Sequence, residues 1–144
     1  MSMNNVLFRL IGGELLQFAI FENELPQGFN ETSITTNVKF LYNGKIRTLN
    51  CVTEGLYSHK EKTFAKISNA MYFELAEESV TNLKIDTKVS VPQEILTYFA
   101  SLTYGALRGM CLLKSEEFKV PLPILPPVNF NEIIKEASIF DIVS

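Results

Sequence analysis

The chain has 144 residues, enough for one domain that buries roughly two-thirds of its unfolded surface. Hydrophobic residues make up 47% and charged residues 20%, which excludes disorder, and 11 Phe with 5 Tyr form an aromatic load large enough to spare rings for binding. Net charge is -3 and the Lys and Arg residues are scattered, so the basic stripe of a nucleic-acid-binding protein is missing.

The first residues carry no positive charge ahead of an apolar run, so no signal peptide is expected and the protein should stay in the cytoplasm. Residues 7–22 read as a first strand, with Gly12 and Gly13 marking a bulge or bend. Asn, Pro and Gly residues in 22–33 take the chain out of the sheet, yet Leu25 and Phe29 are apolar residues on that connection. They tuck onto the domain's own core or present a binding surface. From Ile34 the alternation is regular: Ile34, Thr36, Val38, Phe40 and Tyr42 share one face, and Thr35, Asn37, Lys39 and Leu41 the other. Asn43 and Gly44 both tolerate positive φ, so a type I′ turn is predicted there, closing a hairpin into residues 45–57. A turn at 58–62 leads to a further strand over 63–75, completing a three-strand meander.

Residues 76–89 alternate weakly and read as a loop with edge pairing. Ser90 and Gln93 have the spacing of a capping box, and a helix is predicted over 93–114. Ile95, Phe99, Leu102, Ala106, Met110 and Leu113 recur at spacings of three and four, and Leu96, Leu107 and Cys111 widen the stripe, so the helix should be buried on most sides. A membrane span is the rival reading of this run, opposed by Arg108 inside it, by Thr97, Ser101 and Thr103, and by the lack of a flanking basic cluster. Ser101, Gly105 and Gly109 lie four apart on one face, where small side chains admit a second backbone, and are the expected oligomer interface. Four prolines then force residues 118–127 into an extended course that excludes a central strand. Asn131 is placed to cap a short terminal helix bearing Ile133, Ile134, Ala137 and Phe140.

Little of this is chemistry. His59 is the lone imidazole and sits in a charged turn, so no nucleophile, base and acid set is readable and no enzyme is expected. Cys51 and Cys111 lack CxxC spacing and read as buried thiols in a reducing compartment, which with one His makes no metal site. Gly12-Gly13 lacks the Lys and Ser/Thr of a phosphate loop, so no nucleotide cofactor is implied.

The segment Leu125-Pro-Pro-Val-Asn-Phe-Asn131 resembles the Pro-Val-Asn-Phe segment of the SecB family of export chaperones, between that family's long helix and its terminal helix. Ala100-Ser-Leu-Thr-Tyr-Gly-Ala-Leu-Arg-Gly-Met110 is similar to the long helix, and the strands before it agree in pattern over about residues 6–136. The resemblance implies an α+β fold over a single domain, 1–144: a four-stranded antiparallel sheet, then a long helix and a short C-terminal helix. It also implies a homotetramer built as a dimer of dimers, holding unfolded polypeptide clients without ATP or another cofactor. SecA and antitoxins are the partners known to the family, although the net charge of -3 departs from the acidic surface used in SecA docking. On this reading Leu25, Phe29, Phe130, Ile134 and Phe140 flank the client groove. A carrier or enzyme with an apolar pocket between sheet and helix is the competing expectation.

Overall fold

Four long strands carry the chain from Phe8 to Leu75 in the computed structural model, which describes residues 6–28 and 31–142. They are β1 (Phe8–Ile20), β2 (Thr32–Asn43), β3 (Thr48–His59) and β4 (Lys62–Leu75), antiparallel throughout and ordered β1-β4-β3-β2. The expected meander is β2-β3-β4, and β1 returns to pair with β4. In β1 the register shifts between Leu10 and Gly12 and again between Leu15 and Gln17, so the diglycine lies beside one bulge and sequence marks no second. The inner residues Leu49, Cys51, Thr53 and Tyr57 of β3 are fully buried, whereas Ile34, Thr36, Val38, Phe40 and Tyr42 of β2 are only half-buried. Alternation cannot tell a central strand from an edge strand, and β2 is an edge.

The hairpin between β2 and β3 is present, but a four-residue connection joins its strands, and the positive φ falls on Arg47 (51°). Gly44 is needed for a different reason: a Cβ there would overlap the carbonyl oxygen of Ile142. The left-handed φ at both central residues that a type I′ turn requires occurs between β3 and β4 instead, at Lys60 (51°) and Glu61 (68°).

Residues 76–89 are more ordered than expected. They form the helix α1 (Glu77–Leu83) and a hairpin of β5 (Lys84–Ile85) and β6 (Lys88–Val91), to which β7 (Ser138–Asp141) adds as third strand. Ser90 is therefore a strand residue paired with Ile139, and the predicted capping box does not form. The long helix α2 (Gln93–Glu117) starts from Pro92 without a side-chain cap, and the Gln93 amide donates instead to the carbonyl of Ile134. At its other end the N–H groups of Lys119 and Val120 return to the carbonyls of Glu116 and Ser115, a Schellman closure with Lys119 at φ 56°.

α2 lies across the inner face of the sheet with Ile95, Leu96, Phe99, Ala100, Tyr104, Leu107 and Cys111 buried. Phe99 stacks on Phe73 at 3.9 Å and meets Phe8 edge-on at 4.8 Å. The expected burial on most sides is not seen: Leu102, Leu112 and Leu113 are exposed, the last at 67%. No helix among the described residues is long and apolar enough to cross a membrane.

The proline segment after α2 has no regular structure, and side chains hold its carbonyls. Tyr57 donates to Pro123 O (2.6 Å), Tyr104 to Pro126 O (2.6 Å) and Arg108 to Leu125 O (2.8 Å), while Leu122 and Leu125 are buried. The terminal helix α3 (Phe130–Ile133) is a single turn capped by Asn129, not Asn131. Ile134 follows it, and Phe140, expected on this helix, is on β7. Four residues make too little helix to propagate, and the open edge of β6 supplies partners for the backbone beyond it.

Candidate functional site

β2 forms one edge of the four-stranded sheet. Among the described residues its 12-residue length pairs with β3 on one side only, leaving its other row of backbone groups available. Its half-buried side chains run from Ile34 to Tyr42 along the margin of the core.

Two hollows open at opposite edges of the sheet, one beside β1 and one beside β2. The first, about 200 Å³, is lined by Phe18 and Ile20 of β1, Glu22, Leu25, Phe118 and Val120. Phe18 and Phe118 rings lie 5.3 Å apart, and Phe118 is 55% exposed. The second, about 340 Å³, lies between Val38 and Phe40 of β2 and the chain from Ile133 to Ser138. Between Ile34 and Val38 on β2, the Thr36 hydroxyl donates to the Tyr104 hydroxyl at 3.4 Å. Burial pushes the Tyr104 phenol up, against the lowering influence of that hydrogen bond, so it stays a neutral donor and acceptor.

The expected client residues divide across these features. Leu25 is half-buried in the first hollow and Ile134 lines the second. Phe140 is half-buried, its ring 6.0 Å from that of Tyr42. Phe130 is only 2% exposed and packs edge-on against Tyr104 at 5.6 Å, so it is core and presents no surface, a placement that its sequence position beside prolines did not reveal. Phe29 lies outside the described residues. Sequence reasoning missed Phe18 and Phe118 because the former reads as ordinary strand and the latter as the start of the extended proline segment, while Val38 and Phe40 were visible in the alternation. Ser101, Gly105 and Gly109 are exposed on the outer face of α2, where a Cβ at either glycine would meet nothing within 4 Å.

Nothing in either hollow is arranged for bond making. Among the described residues no three His, Cys, Asp or Glu side chains gather as a metal site. Cys51 and Cys111 are buried free thiols; desolvation pushes Cys51 up to about 12 and raises Cys111, so neither is a thiolate at neutral pH. What the surface offers is apolar area beside an open strand edge.

The same architecture occurs in a solved structure, the Mycobacterium tuberculosis SecB-like chaperone Rv1957 in complex with a ChAD peptide from the HigA1 antitoxin. The two align at a TM-score of 0.52 with 12% identity, over 84% of this chain and 90% of the mycobacterial one. The fold is SecB-like. No protein-family model and no curated protein sequence matches the chain. Within the SecB-like fold of this chain, β2 and α3 border the second hollow, and β1, Leu25 and the chain after α2 border the first.

Proposed function

We propose that this chain is an ATP-independent chaperone that holds extended segments of unfolded polypeptide along β2, and that it binds rather than transforms its clients. The reading is carried by the open edge of β2 and the hollow that Val38, Phe40 and Ile134 line beside it. Backbone groups of an edge strand accept any sequence in extended form, and a hollow beside it takes side chains, the combination a low-specificity peptide binder needs. An antitoxin segment is one such client by analogy with the mycobacterial complex. Export with SecA as partner is the family's other use, and no residue of this surface argues for it. The hollows open to solvent, which favours a client groove over a carrier's closed pocket.

The same proposal includes assembly. Tyr98, Leu102, Leu112 and Leu113 are exposed around Ser101, Gly105 and Gly109 on α2, and a second copy covering this face gives a homotetramer built as a dimer of dimers. The cytoplasm, where unpaired thiols persist, is the compartment that suits it.

Ile34→Ser combined with Val38→Ser on β2 tests the groove. Both side chains are half-buried at its margin, so the thermal midpoint should change little. Capture of reduced and alkylated lactalbumin, which stays unfolded and soluble, should weaken at least ~10-fold, since each ~1.4 kcal/mol is a decade and a well-buried aliphatic contributes about 2 kcal/mol. Undiminished capture by a normally folded double variant would move the groove elsewhere.

A further inference from the structure

The chain's own residues 134–142 lie over the second half of the β2 face, and they do so in step with it. Ile134, Lys135, Glu136 and Ser138 wall the hollow beside Val38 and Phe40. Two residues further along each strand Phe140 meets Tyr42, and two further still the Ile142 carbonyl closes on Gly44. Burial along the segment alternates as in a client strand: Ser138, Phe140 and Ile142 are half-buried, and Ile139 and Asp141 are exposed. An extended, alternating, apolar segment thus occupies part of the surface assigned above to clients.

It is lightly tied. β7 pairs with β6 through four residue pairs, Lys88↔Asp141 to Val91↔Ser138, with Ile142 N–H donating to Thr87 O at 3.0 Å. The ion pair between Lys88 and Asp141 has side chains 52% and 70% exposed, a setting in which such pairs contribute little. Elements with few buried contacts and exposed backbone bonds open locally while the rest of a domain stays folded.

We propose that residues 134–142 are an intramolecular client mimic: a strap that closes the far half of the β2 groove at rest and must lift off before an extended client can occupy it. The inference rests on the chaperone reading. The apparent affinity for a client is then the intrinsic affinity reduced by the fraction of molecules with the strap open. Clients and β7 compete for one surface, and the vacated β6 edge adds a second row of backbone partners for the incoming chain.

A reversible latch in the full chain tests it. Ser90 and Ile139 are register partners, and paired antiparallel residues have Cα separations of about 4.5–5.5 Å, inside the range a disulfide spans. Ser90→Cys with Ile139→Cys can be oxidised to hold β7 on β6, and the native Cys51 and Cys111 are too buried to interfere. Binding of reduced and alkylated lactalbumin should be at least ~10-fold weaker in the oxidised protein than in the same protein after reduction. Phe140→Ser, which removes the ring from Tyr42, should tighten binding at least about threefold by raising the open fraction. Equal binding by oxidised and reduced forms overturns the strap, as does weaker binding by Phe140→Ser, which would make Phe140 a client contact. A wild-type chain that captures no lactalbumin overturns the chaperone reading itself.

Discussion

Lys60, Glu61 and Lys119 hold backbone conformations that glycine adopts freely and L side chains do not. Lys60 and Glu61 make the two-residue turn between β3 and β4, and Lys119 closes α2 where a glycine is the common choice. A Cβ in the left-handed region costs about 1–2 kcal/mol, partly offset by the extra freedom glycine gives the unfolded chain. Glu61→Gly and Lys119→Gly should each raise stability by about 0.5–1 kcal/mol, read as a higher urea midpoint at unchanged slope. A lower midpoint for either would mean its side chain makes a contact worth more than the strain. At Gly44 the argument runs the other way, since its φ is unexceptional and the need is for space against Ile142.

The proline segment is the element whose stability depends most on side chains. Prolines remove donors, so its carbonyls cannot be matched by a neighbouring strand, and the hydroxyls of Tyr57 and Tyr104 with the Arg108 guanidinium take that role. The segment in turn buries Leu122 and Leu125 and sets α3 beside β2. Tyr104→Phe keeps the ring against Phe130 but leaves the Pro126 carbonyl without its donor. It should cost about 1–2 kcal/mol in chemical denaturation, the range for a part-buried hydrogen bond whose acceptor is left behind. A loss below a few tenths would show that water replaces the phenol there.

For the whole molecule, the unresolved account is the outer face of α2. Its leucines stand clear of the chain's own core around two glycines with open space above them, an arrangement that suits close approach of a second copy. Gly105→Leu should lower the native mass, from a tetramer to dimers, while the helix itself gains about 1 kcal/mol of propensity. That gain separates the outcome from misfolding: a smaller, well-folded particle supports the interface, and an unchanged mass removes these glycines from it.

Local patterning determined most of the architecture of this protein. Period-two alternation placed β2 and β4, the Asn43-Gly44 turn placed β3 between them, the spacing of three and four placed α2, and four prolines excluded a strand after it, because each signal lies within or next to the segment that it shapes. Leu25 was legible as an apolar residue on a connection for the same reason, whereas Ile134, expected on the terminal helix, lies just past its end. Tertiary structure alone decided what depends on distant backbone. Ser90 is a sheet residue because Ile139 pairs with it, and Phe140 is on a strand because β6 has an open edge. Phe130 is core because Tyr104 stands beside it, and β2 is an open edge because nothing pairs with its far side among the described residues. Such choices are made between residues roughly 25 to 50 positions apart, and no window of local sequence carries the free energy of a partner it does not contain.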